Sequence, residues 1–320
     1  MPERWRLLAD IGGTNIRFGL AHEARPVDTP IEIANLQSWP CDDFDDFDAA
    51  LRAYLAHLDD SVQLSSAAIA AAGPVTPDSI TLTNRAWTIT AAGLRSMIAA
   101  QIETRLLNDL EAVAYALPFL QADAIEWWDE RRPPSPSVGR RVAVNVGTGF
   151  GSAVVLKTGD GWTCCPAESG HMQLGAANAQ ERAVLEAFGA ETLTVEDVLS
   201  GEGACRLWQS IAGGHSQSTS QGAAPFDFVA TDPTTAKARA VFSTFLARTA
   251  GNLALTSAAW DGVYLCGSVA LAWAQHADRD AFRHAFAGTS KMRDRLAQLP
   301  IGLIRHPLPA LIGLASIRTA

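Results

Sequence analysis

The feature that most constrains this chain is a glycine turn between two apolar runs near its start. Residues 7–11 are apolar apart from Asp10, Gly12-Gly13-Thr14-Asn15 follow, and a second apolar run begins at Ile16. This pattern predicts a strand, a turn and a strand. The glycines lack Cβ atoms, so backbone N–H groups can approach a phosphate closely, and Asp10 is placed to face a metal on that phosphate. A plain hairpin turn explains the same residues equally well.

A second copy of the pattern favours the phosphate interpretation. Gly147-Thr148-Gly149-Phe150-Gly151 lies between the apolar runs 142–146 and 152–156. A dinucleotide-binding fingerprint requires a helix directly after its glycines, whereas residues 152–156 have the composition of a strand. A P-loop is excluded because no Gly-x-x-x-x-Gly-Lys-Ser/Thr occurs. Two such hairpins predict a duplicated fold that grips phosphate from both sides.

Length and composition predict a two-domain globular protein with a cleft. The 320 residues exceed the roughly 250–300 at which a single core usually stops growing. Hydrophobic residues make up 48% and charged residues 18%, which argues against disorder. The formal net charge of −9 opposes binding to nucleic acid or to an anionic membrane.

Targeting and cysteine signals are weak. The first six residues lead directly into the first strand, so no signal peptide is read, and no apolar run reaches the roughly 18 residues of a membrane span. The five cysteines are scattered and include no Cys-x-x-Cys, which predicts neither a zinc ribbon nor a redox pair. Reduced thiols in the cytoplasm are the expectation.

Strand and helix patterns alternate along the rest of the chain. The acidic run 42–48 is interpreted as the solvated start of a helix rather than a metal site. Strands are predicted at 67–72, 80–83, 104–107 and 263–266, helices at 44–58, 110–117, 234–255 and 309–320, an exposed connection at 129–141, and a flexible loop at 212–224.

Two groups of residues are candidates for chemistry. Asp109 lies at a strand-to-helix junction, where α/β proteins place functional groups, although a helix cap is the commoner role of such an aspartate. Glu168 and His171 lie in a loop after Pro166. Their Glu-x-x-His spacing suits a metal, but no third ligand follows at a spacing along the chain that is typical of zinc sites, so zinc is disfavoured. Carboxylates and amides do suit sugar hydroxyls, which both donate and accept.

These motifs together resemble those of the bacterial glucokinases, in the ATP-dependent type without a zinc–cysteine motif. The resemblance covers nearly the whole chain. The matching stretches are 10–15, 83–87, 108–109, 147–151, 166–171, 199–203 and 251–255. It implies an α/β, two-domain actin-like ATPase fold (a duplicated ribonuclease H-like fold) with a central cleft. The small domain would be 1–108 plus 305–320 and the large domain 109–304.

The resemblance also implies roles for residues at matching positions. Asp109 would be the general base that takes the proton of the sugar's primary hydroxyl, and Asp10 would orient Mg²⁺ through water. The sugar would be bound by Asn84, Asn108, Asp109, Glu168, His171 and Glu196. The ATP phosphates and nucleotide would be bound by Asp10, Gly12, Gly13, Thr14, Asn15, Gly147, Thr148, Gly149, Gly151 and Gly267.

The chain departs from the family pattern in three places. Ala167 and Ser169 stand where glycines are usual, Ser268 replaces the second glycine of a pair that meets the nucleotide, and Ala310 replaces a glycine near the tail. These departures bear on the preferred sugar and on nucleotide affinity more than on the type of reaction.

The resemblance implies phosphorylation of D-glucose to glucose 6-phosphate, with ATP and Mg²⁺ as cofactors. Alternatives are a kinase for another hexose or an N-acetylhexosamine, a sugar-binding regulator without turnover, and an ATPase with a protein partner. The expected partners are glucose or a related sugar and ATP, with no nucleic acid and no membrane. A homodimer is an expectation from the family alone.

Overall fold

The computed structural model describes residues 3–23, 29–159, 161–189, 192–213 and 226–318. The chain divides into two compact units. The first unit comprises Met1–Ala124, Lys157–Pro166 and His306–Ala320, and the second comprises Ile125–Leu156 and Ala167–Arg305. The domain boundaries at 108 and 305 stay a prediction, and the first compact unit continues past 108 to include the helix that begins at Asp109.

Strands and helices alternate along the described residues. The strands are β1 (Arg4–Ile11), β2 (Asn15–His22), β3 (Ala34–Pro40), β4 (Gln63–Ala71), β5 (Ser79–Thr81), β6 (Thr88–Thr90), β7 (Glu103–Asn108), β8 (Ile125–Trp127), β9 (Arg140–Val146), β10 (Phe150–Thr158), β11 (Gly161–Ala167), β12 (Val263–Cys266) and β13 (Ile301–Ile304). The helices are α1 (Phe47–Leu55), α2 (Ala91–Met97), α3 (Asp109–Ala116), α4 (Ala179–Glu186), α5 (Val195–Val198), α6 (Gly201–Ile211), α7 (Pro233–Ser257), α8 (Ser268–Ala274), α9 (Arg279–Ala287), α10 (Arg293–Ala297) and α11 (Pro309–Ser316).

The sheet of the first unit explains why its strands are apolar on both sides. Its order is β3-β2-β1-β4-β7, with β1 parallel to β4 and β4 parallel to β7. Leu7 and Ile11 face a cluster that includes Phe18 and Tyr54, while Leu8 faces a second cluster with Leu311. Both faces are therefore covered, which requires a continuous apolar run rather than alternation.

The last helix packs on the helix that follows β7. α11 and α3 meet so closely that a Cβ on Gly313 would lie 1.7 Å from the carbonyl oxygen of Ala112, so only glycine fits there. The buried Arg6 holds the end of α11, because its Nη1 donates to the carbonyl of Leu314 at 3.2 Å and its Nε donates to Ser66 Oγ at 2.9 Å. α3 therefore packs against a helix that Arg6 of β1 holds in place.

The second sheet has the order β11-β10-β9-β12-β13-β8. β9 and β10 form the predicted second hairpin, with Phe150 opposite Val146. The core beside this sheet contains Phe242 and Phe245 of α7. The indole rings of Trp128 and Trp273 stack at 5.3 Å between centroids.

Most predicted elements are present, with shifted ends. The helix expected at 234–255 is α7, the strand at 263–266 is β12 and the tail helix is α11. The helix expected from residue 44 begins only at Phe47, where the side chain of Asp46 caps it. The interpretation of the acidic run as a helix start is confirmed for Asp46 and Asp48, which are the cap and part of the first turn of α1. It is wrong for Asp42, which lies in a preceding 3-10 turn and pairs with Arg85.

Most of the loop predicted at 212–224 lies outside the described residues. Among those described, no helix combines the length and the apolar character needed to cross a membrane.

Candidate functional site

The first glycine turn, Gly12–Asn15, joins β1 to β2 and presents its carbonyl groups to the protein. Its hydrogen bonds are Gly12 N–H to Asn15 O (3.0 Å), Cys41 N–H to Thr14 O (2.8 Å), Cys41 Sγ to Gly12 O (3.8 Å) and Arg85 Nη2 to Gly13 O (3.4 Å). Within the described residues, no acceptor takes the backbone N–H of Gly13 or Thr14. These two donors are therefore free for a ligand, as an anion-binding turn requires.

Asn84 lies beside this turn. A Cβ built on Gly13 would be 3.6 Å from Asn84 Nδ2, and the Asn84 side chain is exposed. The structure thus brings together two sequence-predicted site residues that β2, β3, β4 and β5 separate along the chain.

Asp10 faces Arg17 across the hairpin. The two residues are paired in register, and Arg17 Nη1 lies 3.3 Å from Asp10 Oδ2. The Asp10 side chain is only 14% exposed. The pKa of Asp10 is raised to about 6, mainly by burial and in smaller part by the charge of Asp109, while Arg17 opposes the shift. Asp109 is therefore close enough to Asp10 for its charge to raise the pKa of Asp10.

Asn108 and Asp109 occupy the end of β7 and the start of α3. The Asn108 side chain is the helix cap and accepts the N–H of Leu110 at 3.0 Å, so the capping role that competed for Asp109 is taken largely by its neighbour. Asp109 Oδ1 also accepts that N–H, at 2.8 Å, which leaves Oδ2 without a bond to the described chain. Burial raises the pKa of Asp109, and the Leu110 N–H opposes the shift.

The second glycine turn, between β9 and β10, is held differently. Gly147 N–H donates to Gly149 O at 2.9 Å, and the N–H of Gly201, at the start of α6, donates to Gly147 O at 3.0 Å. The N–H of Thr148 meets no acceptor in the described part of the chain. Gly151 lies inside β10, opposite Asn145.

Glu196 supports this turn from α5. Its Oε2 accepts the N–H of Phe150 at 2.7 Å. A Cβ built on Gly149 would lie 2.5 Å from the same oxygen, and one on Gly170 would lie 3.2 Å from it. A single carboxylate therefore contacts both the turn and the loop that carries Glu168 and His171.

The side chains of Glu168 and His171 are exposed at a short 3-10 turn, and neither hydrogen-bonds a described residue. Between them, Ser169 is 3% exposed, and its hydroxyl has no partner among the described atoms. Gly267 precedes α8 with a φ of 94°, next to the end of β9.

The candidates thus fall into two groups, one in each unit. The first unit holds Asp10, Gly12, Gly13, Thr14, Asn15, Asn84, Asn108 and Asp109. The second holds Gly147, Thr148, Gly149, Gly151, Glu168, His171, Glu196 and Gly267. No cluster of three or more His, Cys, Asp or Glu side chains suited to a metal occurs in the described ranges.

Sequence reasoning missed the groups that hold the turns. Arg17 contacts Asp10, Arg85 contacts the first turn and is itself paired with Asp42, and Gly201 contacts the second turn. Arg85 lies in the 83–87 stretch that matches the family, whereas its partner Asp42 lies in the acidic run that is predicted to begin a helix.

A family model and a curated relative identify the family, and solved structures identify the fold. The glucokinase family model matches residues 7–320. A glucokinase of Paramagnetospirillum magneticum is 32% identical over 98% of this chain and 97% of its own length. Among solved structures, glucokinase from an Antarctic psychrotroph superposes with a TM-score of 0.85 at 24% identity, covering 98% of each chain.

A glucokinase from Balamuthia mandrillaris in complex with glucose gives a TM-score of 0.73 at 23% identity, over 99% of this chain and 94% of that one. These structural likenesses show the fold, which is the actin-like ATPase fold of sugar kinases. The sequence matches show more: the chain belongs to the glucokinase family and is a hexose kinase.

Proposed function

We propose that this hexose kinase transfers the γ-phosphoryl group of ATP to the primary hydroxyl of D-glucose. The observation that carries the proposal is the half-buried Asp109, which has one carboxylate oxygen without a hydrogen bond to a described residue. Its charge also raises the pKa of Asp10, which lies beside the first glycine turn. Glucose as the sugar is supported by the family and by the glucose complex of the Balamuthia mandrillaris enzyme.

Asp109 would act as the general base. Its Oδ1 is held by the Leu110 N–H, so the carboxylate has a fixed orientation at the start of α3 while Oδ2 remains available. Burial raises its pKa, which makes it a better proton acceptor. Because phosphoryl transfer is largely positioning and charge stabilisation, an aspartate that takes the proton late suffices.

The glycine turns would bind the phosphates of ATP. Membership of a kinase family implies ATP as the phosphoryl donor. The N–H groups of Gly13, Thr14 and Thr148 have no acceptor among the described residues and fit phosphate oxygens.

Asp10 fits a magnesium site of the kind completed by substrate. Mg²⁺ in kinases keeps several waters and takes one or two carboxylates together with phosphate oxygens, so the lack of a larger acidic cluster in the described residues is compatible with it. When bound, the ion would neutralise phosphate charge. Asp10 would orient its waters, and Arg17 would keep the Asp10 side chain in place.

Two groups of polar side chains would bind the sugar. Asn84 and Asn108 belong to the first unit, and Glu168, His171 and Glu196 to the second. The exposed carboxylate and imidazole of Glu168 and His171 have no described partner to displace. Glu196 has one oxygen fixed by Phe150 and a second for a hydroxyl.

A kinase for another sugar remains the second candidate, because of Ser169. Its buried hydroxyl lacks a hydrogen-bond partner among the described atoms, and such a group changes which sugar is favoured by the adjoining loop. Homodimerisation rests on the family resemblance and stays a prediction.

The test is sugar-stimulated release of ADP from Mg-ATP, with glucose, mannose, fructose, N-acetylglucosamine and no sugar. The proposal expects glucose to give the highest kcat/KM. Faster turnover of another sugar would replace glucose while leaving the roles of Asp109 and the turns in place. Equal ADP release with and without sugar would contradict the proposal.

A further inference from the structure

Arg85 links the first glycine turn to a second loop of the same unit. Its Nη2 lies 3.4 Å from the carbonyl oxygen of Gly13 and 2.5 Å from Asp42 Oδ1. The guanidinium also lies over the indole of Trp87, 5.4 Å from the ring centroid. The arginine is therefore fixed from two sides while it donates to the turn.

The planarity of the peptide unit makes this contact matter for ligand binding. In a trans peptide the carbonyl of one residue and the N–H of the next point in opposite directions. Since Arg85 holds the carbonyl of Gly13, it turns the N–H of Thr14 away from the protein. The thiol of Cys41 does the same at the preceding peptide, through the carbonyl of Gly12.

We propose that Arg85, anchored by Asp42, is a positioning residue that fixes the first turn with its N–H groups directed to the phosphates of the nucleotide. This inference rests on the proposed function, because it takes the first turn to be a phosphate site. Arg85 acts through the backbone of Gly13 and does not itself contact the ligand.

A simpler role for Arg85 makes the opposite prediction for its partner. If the arginine only attracted the nucleotide by its charge, removal of the acidic Asp42 would strengthen ATP binding. If Asp42 anchors Arg85, its removal weakens ATP binding. Asp43 provides the matched control, since it is an exposed acidic neighbour in the same 3-10 turn and has no contact with Arg85 in the structure.

The experiment is calorimetric titration of Asp42→Ala and Asp43→Ala with Mg-ATP in the absence of sugar. Asp42 is 82% exposed, and exposed pairs contribute modestly, so the Kd of Asp42→Ala is expected to rise about threefold. Asp43→Ala is expected to leave the Kd unchanged or to lower it. Equal effects of the two substitutions, or tighter binding by Asp42→Ala, would overturn the inference.

A double-mutant cycle completes the test. Arg85→Met should raise the Kd for ATP by about tenfold, the usual consequence of losing a charged hydrogen-bond donor. In that background Asp42→Ala should have no further effect, because there is no arginine left to anchor. Additive effects would contradict anchoring.

Thermal denaturation and glucose binding of each variant show whether a weaker ATP affinity is local to the turn. A matching loss of glucose affinity in Asp42→Ala would overturn the inference, since it would show a general disturbance of the unit. A wild-type chain that bound no ATP would remove the proposed function as well. ATP binding by the wild type with identical Asp42→Ala and Asp43→Ala variants would remove the inference alone.

Discussion

At the first glycine turn the protein groups that contact the turn are hydrogen-bond donors, whereas at the second turn one donor, the Gly201 N–H, is joined by a carboxylate acceptor. Arg85 and Cys41 donate to carbonyls of the first turn, and a cation lies behind it. Glu196 accepts the N–H of Phe150 at the second turn, so a carboxylate lies against that backbone.

Two turns with the same glycine motif can therefore have different hydrogen-bond partners and different charges around them. A turn held through its carbonyls keeps its N–H groups for an anion. A turn that gives an N–H to a carboxylate has one donor fewer for an anion. We therefore expect the first turn to contribute more to phosphate affinity, and the surroundings of Glu196 to suit the hydroxyls of an uncharged sugar.

Substitution of Asp109 should have the greatest effect, and it should lower the rate of the chemical step without weakening sugar binding. Asp109→Asn keeps the shape of the side chain beside the first turn but removes the base, so kcat should fall by about 10²–10⁴-fold while the Kd for glucose changes little. Steady-state kinetics and sugar titration measure both. Glu111→Gln, on the same helix, is the control for a change of helix charge. An Asp109→Asn variant within tenfold of wild type would exclude this residue as the base.

The next prediction concerns the buried carboxyl of Asp10, which should make the free energy of unfolding depend on pH. The pKa of Asp10 is about 6 in the folded chain against 3.8 for an ordinary aspartate, so the folded state binds this proton more tightly. The resulting stability is fully present below about pH 4 and is lost as the pH rises through 6. Asp10→Asn avoids that loss.

The free energy of unfolding of Asp10→Asn relative to wild type should therefore increase by about 1–3 kcal/mol between pH 4 and pH 8. Denaturant unfolding at several pH values measures the difference. Arg17→Met is the matched variant, since it removes the guanidinium that lowers the Asp10 pKa and should move the transition to higher pH. A difference that stays constant with pH would show that Asp10 is not perturbed.

The weakest of the expected effects is on stability and concerns Glu196, which accepts a hydrogen bond beside the second turn. Glu196→Ala leaves the N–H of Phe150 without its acceptor and should cost about 1–2 kcal/mol of stability, whereas Glu196→Gln retains an oxygen and should cost less than about 0.5 kcal/mol. Chemical denaturation compares the two. Equal losses would mean that the charge, and not the hydrogen bond, supports the turn.

Local patterns predicted the elements because each depends on neighbours in the chain. The hairpins followed from apolar runs on either side of glycines, and α7 from the length of its helical segment. Contacts between distant residues had no such signal. Asp42 and Arg85 are 43 residues apart, and Phe150 and Glu196 are 46 apart. The position of the acidic run predicts a helix start for Asp42, because its partner Arg85 is defined only by the folded chain.

The packing of α11 on β1 and β4 determines when the first unit can complete its core during translation. β1 and β4 leave the ribosome early, but the cluster on one of their faces is completed by Leu311 and Leu314 of α11, which are synthesised after all the described strands. During translation that face stays uncovered while the second unit, whose chain ends at Arg305, is already fully synthesised. The nascent first unit therefore presents exposed apolar strands until α11 has been synthesised, the state that chaperones engage.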